Sequence, residues 1–325
     1  MSIVELLQHA AAGQGLSAAE QAGVGQWLVG EPSQALCFGL NAENARAIAV
    51  ERLRRLPAVW QALNAGPLEV AGYAEEVLCD AAEAFCFHIP LGQLLLERAA
   101  RAPGRYLVAI AGVPAGGKSV FTALMARVLR ALRPPFGVAT LGLDGYHYPN
   151  AYLEAHRTPP GVAVPGSLRL YKGAHFTFNA LRLAADLRRL RGGREPLALP
   201  AYDRSIHDPV EGAVAIRFED RLVLVEGNYL LCREHGWDDV AALFDLRLYL
   251  ELPPGVNRER MVARHVRGGR SREDGDAHFE RADRLNTELV ASTREWADLT
   301  VELDAAYRVK GIWRACVRGE ARSTR

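Results

Sequence analysis

One octapeptide, Gly112-Val113-Pro114-Ala115-Gly116-Gly117-Lys118-Ser119, constrains this chain more than any other feature. It fits G-x-x-x-x-G-K-[ST] at every fixed position. The apolar run Tyr106–Ala111 predicts a buried strand before it, and the amphipathic stretch Ser119–Leu132 predicts a helix after it. Such a strand–loop–helix unit needs glycines so that the backbone can curl and aim successive N–H groups into one concavity, at the positive end of the helix. That concavity suits the phosphates of a nucleotide. Lys118 is expected to reach the β- and γ-phosphates, and the Ser119 hydroxyl to ligate Mg²⁺. Gly112 through Val120 are the candidate nucleotide-binding residues.

From Pro103-Gly104 onward, short β-rich runs alternate with helical stretches: Phe136–Leu143, helix Phe178–Arg191, strands Leu222–Glu226 and Leu246–Glu251, helix Val256–Val266 and strand Leu299–Leu303. Apolar strands separated by helices predict an α/β fold whose mainly parallel sheet is covered on both faces. The first hundred residues read differently, as helices. Ser17-Ala18-Ala19-Glu20 is a capping-box pattern. Apolar residues recur at helical spacing from Asn41 to Leu56, where Pro57 ends or interrupts the run, and again from Tyr73 to Phe87. The expected organisation is a helical accessory domain over 1–100 and, over 101–325, a nucleotide-binding domain carrying a substrate loop and an Arg-rich lid.

Of the 325 residues, 49% are hydrophobic, which excludes a disordered chain. No apolar run approaches the ~20 residues that cross a bilayer. Met1–Glu5 lacks the features of a secretory signal, and the five cysteines show no CxxC spacing, so a soluble cytoplasmic protein with reduced thiols is expected. Residues 1–100 carry 5 arginines and 11 acids, the remainder 34 cations and 27 acids. That basic excess suits small anionic ligands and is too dilute to imply nucleic acid. Only three lysines stand beside 36 arginines, which draws attention to Lys118 and Lys172.

Two acids follow predicted strands, where open parallel sheets bind ligands. Asp144 comes directly after Phe136–Leu143 and is placed to orient an acceptor hydroxyl and take its proton. Glu226 ends Leu222-Val223-Leu224-Val225, the layout of an acid that holds Mg²⁺ directly or through water. The chain has neither an Asn-Lys-x-Asp guanine-reading motif nor Leu-Ser-Gly-Gly-Gln, which argues against a GTPase and an ABC subunit. Histidines 147, 156, 175 and 207 show no zinc-ligand spacing.

The motifs Gly112–Ser119, Asp144-Gly145-Tyr146-His147-Tyr148-Pro149-Asn150, Lys172-Gly173-Ala174, Tyr202-Asp203-Arg204, His207-Asp208-Pro209-Val210, Glu226-Gly227-Asn228-Tyr229 and the Arg-rich run 260–270 stand in an order that resembles the phosphoribulokinase/uridine kinase/pantothenate kinase family of P-loop small-molecule kinases, across about 106–303. The resemblance implies a P-loop NTPase three-layer fold and ATP-dependent phosphorylation of a hydroxyl on a small metabolite. It implies Asp144 as base, an acceptor pocket drawn from Asp144, Tyr146, His147, Lys172, Tyr202, Arg204, His207 and Asn228, and Arg264, Arg267 and Arg270 on a lid over the phosphates. Arg260, Arg264 and Arg267 also share one helical face by spacing alone. Departures from the family pattern at His175, Asn179 and Val120 leave the acceptor open among sugars and their derivatives, pantothenate, nucleosides and glycerate-like acids. A homodimer is compatible with this reading. The alternative is an ATP-binding regulatory protein, which would need the phosphate loop but no acceptor base.

Overall fold

The computed structural model describes residues 1–70, 72–160, 165–193, 195–267, 269 and 271–314. Helices α1 (Ile3–Ala11), α2 (Ala18–Val29), α3 (Pro32–Phe38) and α4 (Ala45–Leu63) open the chain. Ser2 and Ser17 each close a capping box on α1 and α2. Helix α4 runs through Pro57 instead of ending there, held by the buried stripe Leu56, Val59 and Leu63. The expected helix from Tyr73 is corrected in its first half. Strands β1 (Leu68–Val70) and β2 (Tyr73–Glu75) form an antiparallel hairpin, turned at Gly72 with φ +80°. Only from α5 (Ala81–Glu83) is the chain helical, through a π turn at Ala84–His88 into α6 (Ile89–Arg101).

Next come β3 (Tyr106–Gly112), α7 (Lys118–Ala131), β4 (Gly137–Gly142), α8 (Asn150–Ala155) and α9 (Ala180–Gly192). Strands β5 (Leu197–Asp203) and β6 (Asp208–Ile216) pair antiparallel, so the segment read as a loop at 200–208 is the end of a hairpin. The chain closes with β7 (Asp220–Glu226), α10 (Asp238–Ala241), β8 (Leu246–Glu251), α11 (Val256–Arg267), α12 (Arg272–His278), α13 (Arg284–Ser292), β9 (Leu299–Leu303) and β10 (Val309–Arg314). The main sheet has the order β10-β9-β8-β3-β7-β4, parallel except for β10.

Strand alternation builds a core on each face. Val108, Ile110, Leu222 and Leu224 point toward α7 and the first hundred residues, in one continuous cluster. Leu107, Ala109, Val223 and Val225 point toward α9 and Trp237. Helix α6 crosses α7 closely enough that a Cβ on Gly92 would lie 2.8 Å from Leu132 Cδ1. The amino-terminal helices are therefore packed into the nucleotide-binding layer. A buried tie strengthens this: the amide of Val309 in β10 donates to Glu83 Oε1 at 2.7 Å, and His88 Nε2 lies 3.1 Å from the same oxygen.

Register places the chemistry. Glu226 pairs with Ile110 on one side and Gly142 on the other, so the ends of β3, β7 and β4 converge where the glycine-rich loop leaves β3.

Candidate functional site

The loop after β3 is wound as its glycines require. Gly116 donates to Val113 O at 2.9 Å, and a Cβ on Gly116 would sit 2.6 Å from that same carbonyl oxygen. Gly117 has φ +82° and lies against Tyr307, whose Cδ1 would be 2.7 Å from an added Cβ. Ala115 also adopts a left-handed conformation, at φ 56°. Three consecutive special backbone positions wind the loop tightly ahead of α7, where a side chain at Gly116 or Gly117 would collide with Val113 or Tyr307. Pro114 sits in the bend. Val120 contributes only backbone here, because its side chain is buried in the core under α7.

Lys118 is buried, with Nζ donating to Val113 O at 3.0 Å. Burial holds its pKa below the ordinary lysine value; the charges of Glu226 and Asp144 pull it back up and that of Arg264 pushes it down. The Ser119 hydroxyl donates to Glu226 Oε1 at 2.9 Å. Burial raises the Glu226 pKa, and the negative charge of Asp144 adds to the rise, while Lys118 and Ser119 oppose it. Ser119, Asp144 and Glu226 line one cavity of about 420 Å³, together with Tyr202 and Arg204. The two acids and Ser119, the last residue of the glycine-rich motif, thus face a common space.

Asp144 lies in a 3₁₀ turn, Leu143–Tyr146, directly after β4. The glycines that follow both acids are packing devices. A Cβ on Gly145 would meet Pro200 O at 2.5 Å, and one on Gly227 would meet Leu143 Cβ at 2.4 Å. The Asp144 turn is thereby pressed against β5 and against the end of β7. Arg204 Nη2 donates to Asp144 Oδ2 at 2.8 Å, and its guanidinium lies 5.4 Å from the Tyr202 ring centroid. His147 supports the turn from beneath: Nδ1 is 2.9 Å from Asp144 O, and the ring packs against Phe178 at a 37° tilt with centroids 3.8 Å apart. Burial lowers the His147 pKa, so the neutral ring donates from Nδ1 to that carbonyl at neutral pH.

Not every expected contact reaches the cavity. Tyr146 is corrected: it is buried in the second core and its hydroxyl donates to Asp186 Oδ2 at 3.2 Å. A residue two positions after Asp144 in a tight turn points into the sheet–helix interior. His207 is exposed with φ 52°, and its part is played by its carbonyl, which accepts from Lys172 Nζ at 2.6 Å and from Asn150 Nδ2 at 3.0 Å. Lys172 also donates to Asn150 Oδ1 at 2.6 Å and lies 5.0 Å from the Tyr202 ring centroid, so it fastens the hairpin tip behind the cavity wall. Asn228 is half-buried on the turn leaving Glu226.

Two of the arginines expected on a lid, Arg264 and Arg267, sit on α11. Arg264 is near enough to Lys118 to act on its charge, and Arg267 occupies the last turn. Arg270 lies outside the described residues. Sequence reasoning missed the latch that joins α11 to the loop. Arg260 donates through Nη1 to Ala115 O and through Nη2 to Ala305 O, both at 3.1 Å, with its guanidinium 3.9 Å from the Tyr307 ring centroid. The turn between β9 and β10 carries Tyr307 at φ 64°, and no local pattern marks it.

Lys172 gives the site a pH dependence. Burial first, then the charge of Arg169, lowers its pKa to about 8. The ammonium that fastens the hairpin tip is lost as pH rises through that value. The Michaelis constant for the acceptor should therefore climb above about pH 8, and Lys172→Met should remove that limb from the profile. A profile of the wild type that stays flat to pH 9.5 would show that the tip needs no charge.

No family model matches the chain. It is 33% identical over 217 residues to an uncharacterised protein of Escherichia coli, YggC, covering 66% of this chain and 86% of that one. It is 30% identical over 205 residues to the "Putative uridine kinase C227.14" of Schizosaccharomyces pombe, covering 61% and 83%. Among solved structures, a "putative fructose transport system kinase" from Silicibacter sp. TM1040 superposes with a TM-score of 0.55 at 30% identity, covering 63% of this chain and 94% of that one.

Proposed function

Because the chain belongs to the phosphoribulokinase/uridine kinase/pantothenate kinase-type family of P-loop small-molecule kinases, we propose that it transfers the γ-phosphoryl group of ATP to a hydroxyl of a small metabolite at the cavity between Asp144 and Ser119. The observation that carries this reading is the shared cavity itself: on one side Ser119, the last residue of a complete Gly112–Ser119 motif, and on the other a carboxylate whose Oδ2 is held by Arg204. A nucleotide switch has no use for the second half.

The loop amides and Lys118 bind the phosphates, and α11, pinned through Arg260, carries Arg264 over them. Ser119 and Glu226 fit Mg²⁺, since both offer hard oxygen donors and Glu226 is a cavity-lining carboxylate of raised pKa that a divalent cation would stabilise as the anion. The ion would supply neutralisation of phosphate charge there. Asp144 accepts the proton of the acceptor hydroxyl as that oxygen bonds to phosphorus and ADP departs. Held against the loop by Arg260, α11 would exclude water that would hydrolyse ATP unproductively.

The test is ADP release with and without a panel of sugars, hydroxy acids and nucleosides. A kinase releases ADP only with its acceptor and yields a phosphorylated product by mass. Acceptor-independent hydrolysis that no panel member accelerates would favour the regulatory reading.

A further inference from the structure

A separate cluster of donors lies in the layer formed by the first hundred residues, which showed no chemistry in the sequence. Cys79, Glu83 and His88 each offer a ligand atom, and the three atoms all lie within 4.8 Å of one another. The residues are 5%, 6% and 1% exposed, so bulk water does not serve them. Thiol, carboxylate and imidazole together are a donor set for a transition-metal ion, zinc above all.

The backbone is arranged to bring the three together. Glu83 and His88 stand five residues apart, which places them on different faces of an α-helix of about 3.6 residues per turn. Here the π turn Ala84–His88 intervenes, with Ile89 N–H donating to Ala84 O, and the wider turn returns His88 to Glu83. Cys79 is held from α4: its amide donates to Asn64 Oδ1, and its carbonyl accepts from Trp60 Nε1 and Asn64 Nδ2, each at 3.0 Å. Asp80 Oδ1 accepts from the Glu83 amide at 2.7 Å. Each donor thus stands on backbone that its surroundings have fixed.

Two buried atoms in this cluster point to a ligand. Glu83 Oε1 accepts from the Val309 amide and lies 3.1 Å from His88 Nε2, which accounts for one oxygen and one nitrogen. Glu83 Oε2 and His88 Nδ1 are buried with no hydrogen-bond partner. Neither imidazole tautomer cures this: protonated, Nδ1 has no acceptor, and bare, it has no donor. A plain Glu–His pair leaves both atoms unmet, which buried polar groups rarely are, whereas a cation accepts lone pairs of this kind.

We infer that Cys79, Glu83 and His88 form a structural zinc site, with a water in the fourth position, that locks the amino-terminal layer to β10 through the Val309 amide. Zinc is favoured over Mg²⁺ and Ca²⁺ because a thiol and an imidazole stand where those ions need hard oxygens. Burial first, and then the charge of Glu83, push the Cys79 pKa up. A divalent cation reverses that balance, and the thiol proton leaves to water as sulfur takes up the metal. The inference is independent of the kinase reading.

The test takes the full chain without a metal-binding tag, strips it with a chelator and titrates it with Zn²⁺ or Co²⁺. About one tightly held Zn²⁺ per chain is expected, and restoring it should raise the melting temperature of the stripped protein by roughly 3 °C or more. Co²⁺ should give the near-ultraviolet charge-transfer band of a thiolate–metal bond together with the visible bands of a four-coordinate ion. Cys79→Ser should abolish the charge-transfer band, and His88→Gln should weaken Zn²⁺ binding about tenfold or more. Cys232→Ser, in the core on the other face of the sheet, should keep both signals. Should a site variant fail to fold, the wild-type cobalt spectrum decides. Stripped protein that takes up no Zn²⁺, or a cobalt spectrum without the thiolate band, would overturn the inference. So would equal Zn²⁺ uptake by the wild type and both site variants, which would move the metal to His265, His278 and Asp283. Each of these results leaves acceptor-dependent ADP release, and with it the kinase reading, untouched.

Discussion

Asp144→Asn should bind nucleotide as the wild type does and lose about 10²–10⁴-fold in kcat, the range that a positioned general base contributes. The substitution keeps size and hydrogen-bonding shape, so Arg204, 2.8 Å from Oδ2 in the native protein, still finds an oxygen acceptor. The backbone carbonyl that meets His147 is unaltered. What disappears is the ability to take a proton from the acceptor alcohol. Equilibrium titration with a non-hydrolysable ATP analogue and steady-state turnover separate the two effects. Nucleotide affinity should stay within about threefold if Asp144 serves the acceptor, as proposed. Full turnover by the variant would remove Asp144 from the mechanism. Equal losses of affinity and turnover would instead show that it serves the phosphate loop, whose Lys118 feels its charge.

The companion variant Arg204→Met tests the same carboxylate from its partner's side. Removing the guanidinium leaves Oδ2 unheld and takes a cation away from Glu226, whose raised pKa Arg204 opposes. Turnover should fall by about tenfold or more, less than in Asp144→Asn, because the base persists but is no longer oriented. Wild-type kcat in Arg204→Met would make this ion pair a feature of the hairpin alone.

The parts of this site that the sequence disclosed are those whose chemistry is local. Gly116 and Gly117 are required by the loop's own backbone, and Asp144 and Glu226 stand at the ends of apolar runs that can only be buried strands. Spacing along the chain therefore translated into position. The wall that β1 gives the cavity beside Asp144 was invisible for the opposite reason. Leu68, Glu69 and Val70 meet α7 and the β5–β6 hairpin through contacts that span more than fifty residues, and a three-residue strand carries no periodic signal. Tyr307 escaped notice likewise, since its value lies in a stack with Arg260 across the phosphate loop. Tyr146 failed in another way: adjacency to Asp144 suggested a shared destination, but in a 3₁₀ turn neighbouring side chains diverge, and its ring went into the core.

Lys118→Met should cost about 10²–10³-fold in kcat, comparable to removing one preorganised donor from developing transition-state charge, and should weaken nucleotide binding as well. Its ammonium is buried in the head of α7, held by Val113 O at 3.0 Å, where a low-dielectric surrounding strengthens its pull on phosphate oxygens. Arginine is not expected to rescue the variant. A planar fork cannot occupy the space of a compact ammonium enclosed between the loop and α7, and Arg264 already adds a repelling positive charge there. A second readout distinguishes charge from packing. Burial lowers the Lys118 pKa on folding, so the unfolded chain binds this proton more readily than the native one. Stability should then rise with pH on approach to the ordinary lysine value of about 10.4, and the methionine variant should lose that part of the rise. Denaturant midpoints measured between pH 7 and 10 on both proteins give the difference. A methionine variant with the same slope and near-native turnover would show that Lys118 lies neutral and idle, and that the phosphates are held by main-chain amides alone.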